Sequence, residues 1–173
     1  MKHLRKTVAA LFCLGVMAGA NGQQNCNANL VATAPDSNFE MQDDGTVIHT
    51  ASGLMWTVCL AGQNYNVAGG TCDGAPLEQS WEQAHLLAST ESVGGHTDWR
   101  LPNVNELVSI LELKCDSPAM NTSIFKGLAD VNTLWTSTPT TTDGQGNVVM
   151  ISSGLPGPNP MTATYPFLLV RKN

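Results

Sequence analysis

The chain has 173 residues, with 14 Asp+Glu against 8 Lys+Arg and a formal charge of −6. Three of the eight bases, Lys2, Arg5 and Lys6, precede residue 7 while every acid follows it, so the rest of the chain stands near −9. That balance argues against nucleic acid and sulfated polyanions as partners, because phosphate and sulfate contacts need clustered Lys and Arg, and the remaining Arg100, Lys114, Lys126, Arg171 and Lys172 are scattered.

Lys2, His3, Arg5 and Lys6 form a basic start, and Thr7–Ala18 (TVAALFCLGVMA) is uncharged and mostly apolar. The pair reads as a secretory signal peptide over residues 1–22, too short for a membrane span of roughly 20 apolar residues. Small residues allow cleavage after Ala20 or after Gly22, and both stay open. Cys13 follows Ala-Leu-Phe, without the small residues a lipid-attachment signal places before its Cys. The expectation is an exported protein, periplasmic, cell-surface or secreted, that spans no membrane. The remainder, about 150 residues, suits one domain with a real core.

Beyond the apolar run lie Cys26, Cys59, Cys72 and Cys115. An even set in an exported chain reads as two disulfides. Spacing favours Cys59–Cys72, closing the Gly-rich stretch AGQNYNVAGGT, and leaves Cys26–Cys115 to tie the N-terminal arm to the end of a helix. No C-x-x-C pair is present, so no zinc site is expected.

Residues 23–38 are polar, turn at Pro35-Asp36-Ser37, and read as an arm rather than a core element; the domain proper is expected over 39–173. Phe39–Gln42 and Thr46–Thr50 form a predicted hairpin across Asp43-Asp44-Gly45, where Asp-Gly supplies the positive φ. Leu54–Val58, with Trp56, is a short buried strand after the Ser52-Gly53 turn. A helix opens at Ser80, read as a capping box with Gln83, and carries Trp81, Ala84, His85, Leu87 and Ala88 on its apolar side. A second opens at Pro102-Asn103, with Asn103 and Glu106 as its capping box and Val104, Leu107, Val108, Ile110 and Leu111 as its stripe. Irregular chain follows to Gly127. Strands are predicted at Leu134–Ser137, Val148–Ile151 and Tyr165–Val170, with Gly154–Pro160 as a long Pro/Gly loop. Strands at both ends with helices between make the class α+β, two helices packed on short antiparallel strands.

No nucleophile–base pairing stands out. His49, His85 and His96 have no Ser or Cys beside them in a nucleophile setting, and His85 reads as a packed, hydrogen-bonded helix residue. The Asp43-Asp44-Gly45 segment lacks the D-x-D-x-D-G spacing of a calcium loop, so no metal ligand is assigned; calcium is kept only as an ion an acidic surface recruits. Asp98, Arg100 and Glu106 read first as a buried structural ion pair, since such a pair orients elements and is costly to break. The expectation is a protein that is not an enzyme and needs no cofactor.

In order, PDSNFEMQDDGTV, SGLMWTVCLAGQ, GTCDG, SWEQA, TDWRLPNVNELVSILE and YPFLLVRKN resemble the Lcl C-terminal domain family, which takes its name from a collagen-like bacterial surface adhesin. The likeness runs over nearly all of the chain beyond residue 22. It implies an exported, often surface-located module; in the founding adhesin the domain is associated with trimer formation and attachment to glycosaminoglycans. A homo-oligomer and a glycan or cell-surface ligand are therefore expectations here, with an envelope assembly component as the alternative. The acidic charge weighs against sulfated glycans and for a neutral glycan or protein partner. The R-L-P-x-x-x-E block also resembles, more weakly, the formylglycine-generating sulfatase-modifying fold, which implies a C-type-lectin-like architecture. In that likeness Trp99, Arg100, Leu101, Pro102 and Glu106 are fold determinants, together with Trp56, Asp98 and Asn103 of the shared motifs. The ligand-binding residues are not legible.

Overall fold

The computed structural model describes residues 24–128 and 131–173. The expected signal segment lies outside the described residues. Eleven short strands, two α-helices and one 3-10 turn (Asp36–Asn38) are present among those described: β1 (Asn25–Cys26), β2 (Phe39–Met41), β3 (Thr46–His49), β4 (Leu54–Thr57), β5 (Asn64–Asn66), β6 (Thr71–Asp73), α1 (Trp81–Ala88), α2 (Val104–Ser109), β7 (Cys115–Asp116), β8 (Thr133–Pro139), β9 (Gln145–Met150), β10 (Leu155–Pro160) and β11 (Val170–Lys172). The architecture is α+β and rich in strand.

A four-stranded antiparallel sheet runs β11-β4-β3-β2 and a three-stranded one runs β10-β9-β8. The Asp-Gly turn works as its residues dictate, with Gly45 at φ +86 and Phe39 opposite His49. α2 packs on β8 and β9, and α1 packs on β8. Two apolar clusters result. One holds Trp56, Phe125, Leu107, Leu111, Leu134 and Val149, with Trp56 at 0 % exposure. The other holds Trp99, Leu101, Ala84, Trp135 and Phe167. Each fully buried large side chain contributes about 1.5–3 kcal/mol, which is where the fold's stability resides.

Both disulfides form, Cys26–Cys115 and Cys59–Cys72. Four expectations need correction. Gly154–Pro160 is mostly not a loop: β10 occupies Leu155–Pro160 and edges its sheet, with Pro156, Pro158 and Pro160 opposite Val149, Asn147 and Gln145. Prolines at every second position put their missing N–H groups on the open side, so the ladder loses no donor. The predicted last strand, Tyr165–Val170, pairs regularly only from Val170 onward. Its earlier part is a buried crossing: Pro166, Phe167 and Leu169 carbonyls accept from Trp135, Ala61 and Thr57 N–H groups on separate elements. Ser80 sits at the N-cap of α1 without capping through its side chain, while the Trp81 N–H at the first helical position donates to the Met161 carbonyl at 3.0 Å. The arm is also part of the core, since β1 pairs with β7 and Ala34 is fully buried.

Candidate functional site

The motif residues are held by one another. Arg100 donates two hydrogen bonds of 2.8 Å to the Glu106 carboxylate, whose Oε2 also accepts from the Asn103 N–H at 2.7 Å. Asn103 Oδ1 in turn accepts from the Glu106 N–H, completing the capping box. The Arg100 hydrogen bonds, with the Asn103 N–H, hold the Glu106 carboxyl below the usual carboxylate range despite its burial. Trp99, Leu101 and Pro102 are buried, and Trp99 Nε1 donates to the His96 carbonyl at 3.0 Å. The ion pair is not the buried three-residue group expected. Arg100 is 45 % exposed, and Asp98 turns away to Arg171 at 2.6 Å. Two residues apart in the chain, Asp98 and Arg100 take different partners, Asp98 the Arg171 of the C-terminal strand and Arg100 the Glu106 of α2. The hydrogen bond from Arg171 lowers the Asp98 carboxyl.

The histidines stand apart. His49 is buried with Nδ1 2.9 Å from Ser52 Oγ, and burial lowers its pKa. His85 packs on Trp81 with ring centroids 4.3 Å apart, but its buried Nε2 has no partner among the described residues, so the expected hydrogen bond is missing there. Burial lowers the His85 pKa as well. Asp44 Oδ1 accepts from the Thr46 N–H and hydroxyl at 3.0 and 2.7 Å, which makes Asp43-Asp44-Gly45 a plain turn. Among the described residues no three His, Cys, Asp or Glu are placed to hold a metal ion.

A site that sequence reasoning missed lies under the arm. Glu112, 4 % exposed, lies three residues past the end of α2, between Leu111 and Leu113, and points its carboxylate at the arm. Oε1 accepts from the Thr33 N–H at 3.0 Å and the Lys114 N–H at 3.2 Å; Oε2 accepts from the Ala34 N–H at 3.2 Å. Burial pushes this carboxyl up, but the three backbone N–H groups and the Lys114 charge outweigh it and leave it lowered. Thr33 Oγ1 donates to the Leu111 carbonyl and accepts from the Leu113 N–H, both at 2.7 Å. Asn121 closes the other side, its Nδ2 donating to the Ala34 carbonyl and to Asp36 Oδ1. The one signal in the sequence was a single acid inside the apolar run Ile110-Leu111-Glu112-Leu113.

Held in this way, the arm and the Glu112–Ser123 segment enclose a cleft of about 330 Å³. Gln24, Asp36, Glu112, Lys114, Asn121 and Ser123 supply its polar lining, and the Cys26–Cys115 disulfide forms part of its wall. Asp36 and Ser123 are exposed, and among the described residues no hydrogen bond engages the Ser123 hydroxyl.

Fold and cleft define a disulfide-stapled α+β domain with one of its polar clefts built by its own N-terminal arm. The chain belongs to the Lcl C-terminal domain family, whose model matches residues 45–171. The matched span includes the Glu112–Ser123 wall and begins after the arm. A search of curated proteins finds no match. No helix among the described residues is long and apolar enough to cross a membrane.

Proposed function

We propose that the chain is an exported, non-enzymatic binding module that takes a carbohydrate or another cell-surface ligand in the cleft beneath its arm. The observation that carries this reading is the cleft itself. Its volume of about 330 Å³ falls within the range of small-molecule sites, roughly 300–1,000 Å³. Its accessible groups, the Asp36 carboxylate, the Ser123 hydroxyl and Lys114, suit a neutral polyhydroxylated ligand that both donates and accepts. The acidic balance of the chain disfavours a sulfated one. Export is supported by the two disulfides, which persist in oxidising compartments. A non-catalytic role is supported by the use of Asp98 and Glu106, the carboxylates of the conspicuous motif, in ion pairs with Arg171 and Arg100. Two helices, short strands and a C-terminal strand returning to the N-terminal sheet support a C-type-lectin-like arrangement.

The second reading, an envelope assembly component with a protein partner, is favoured by one feature. Exposed Leu113, Met150 and Leu155 surround Gly154. The two readings part on a glycan array probed with the oxidised protein, with calcium and with chelator. Saturable binding supports the first, and its loss in chelator adds a calcium requirement. Failure to bind any glycan or cell-surface material sinks the first reading and leaves the second.

A further inference from the structure

Cys26 and Cys115 stand directly opposite each other in the β1–β7 ladder, which is two residues long on each side. Their surroundings differ: Cys26 is exposed, whereas Cys115 is 7 % exposed beneath the arm. Ahead of Thr33 the arm has few other ties to the domain. Asn27 N–H donates to the Lys114 carbonyl at 2.8 Å, and Gln24 Nε2 donates to the Pro118 and Met120 carbonyls. The Asn25–Asp116 side-chain bond is exposed and 3.3 Å long. The second disulfide is set differently, with Cys59 at 5 % exposure and Cys72 half-buried.

We propose that Cys26 is a thiol-exchange site, open to attack by a low-molecular-weight thiol. The attacking thiolate bonds to Cys26 Sγ, the Cys26–Cys115 bond breaks, and the electron pair leaves on Cys115 Sγ, which takes a proton from water. One disulfide replaces another, so no oxidant is needed. The direction follows from access: Cys26 is the exposed residue of the pair and Cys115 the buried one, so attack along the S–S axis is expected at Cys26 Sγ, with Cys115 Sγ departing. Exchange frees residues 24–32, while Thr33 and Ala34 stay on the Glu112 carboxylate. Because both cysteines line the cleft, exchange removes one wall of it; on the binding reading above, which this consequence rests on, a reducing setting weakens the ligand site.

The test exposes the folded, fully oxidised protein to about 5 mM reduced glutathione near pH 7.5, followed by acid quench, alkylation and peptide mapping. The result expected is glutathione on Cys26 and an alkylated Cys115, appearing at least about tenfold faster than any opening of Cys59–Cys72. Hydrogen exchange on the product rises at the Asn27 amide and is unchanged at Thr33 and Ala34. Glutathione on Cys115, equal opening of both disulfides, or no reaction short of unfolding overturns the proposal. None of these readouts involves a ligand, so failure here leaves the binding reading untouched, and a failed glycan screen leaves this site untouched.

Discussion

Replacing Glu112 by Gln keeps the shape of the clamp and removes its charge. The two carboxylate oxygens serve opposite sides, Oε1 taking Thr33 and Lys114 and Oε2 taking Ala34. An amide serves only one side with its oxygen. If the oxygen keeps the pair of donors, the NH2 group faces the Ala34 N–H, and a buried donor is left unpaired at a cost of about 1–3 kcal/mol. The two surviving bonds become neutral, losing about 1 kcal/mol each. The variant regains the cost of burying a carboxylate, the largest single influence on this group and one that opposes the others. The balance is a loss of about 2 kcal/mol, or about 4–8 °C in Tm for a domain of this size. Urea unfolding followed by tryptophan fluorescence measures it, and native-state exchange at the Ala34 amide locates it. The difference between wild type and Glu112→Gln must also shrink in acid. The Glu112 pKa is lowered by folding, so its contribution is complete above the unfolded value, about 4.3, and disappears as pH falls through the folded one. Stability within about 0.5 kcal/mol of wild type, inside the range of an ordinary surface change, refutes the clamp.

Glu106→Gln is expected to cost about 1–2 kcal/mol, combining a weakened capping box with an ion pair discounted for the exposure of Arg100; a variant whose unfolding midpoint matches wild type contradicts this. His49 and His85 have pKa values lowered by burial, so their contribution is complete above the unfolded value, about 6.5, and is lost as pH falls below it. Tm is therefore expected to decline between about pH 7 and 5, before the carboxylates titrate, and a flat profile there is the contrary result. Replacing both cysteines of each disulfide by Ser separates the two staples: loop closure over 89 residues gives about 4.6 kcal/mol and over 13 about 2.9, so the Cys26–Cys115 variant should be the less stable in denaturant. Gly62→Ala should cost more than Gly53→Ala: both glycines have positive φ, but a Cβ on Gly62 meets Leu77 Cγ at 2.5 Å while one on Gly53 meets nothing within 4 Å.

Local chemistry was legible where one short stretch settles the outcome. The Asp43-Asp44-Gly45 turn and the Asn103–Glu106 capping box each depend on residues within four positions, and the Cys59–Cys72 pairing on a short loop. Reading failed where a distant partner decides. Ser80 has the right side chain and position for a cap yet makes no side-chain bond there, and the Met161 carbonyl, from a distant segment, takes the Trp81 N–H. Asp98 has Arg100 two residues away and takes Arg171 from the far end of the chain. Leu155–Pro160 has the composition of a loop and becomes a strand because only an edge tolerates its prolines. The cleft was hidden for the same reason: its walls, the arm and the Glu112–Ser123 segment, lie about 80 residues apart and meet through a buried carboxylate that no local pattern announces.

The most direct test of the binding reading fills the cleft. Ser123 is exposed at its lining and its hydroxyl makes no hydrogen bond among the described residues, so Ser123→Trp inserts an indole while leaving the clamp and both disulfides in place. Isothermal titration of wild type and variant with the strongest glycan from the array gives the answer. Saturable binding by wild type, lost in a variant of unchanged Tm, is the predicted result; a ligand that binds both equally, or no ligand at all, contradicts the cleft as the functional site.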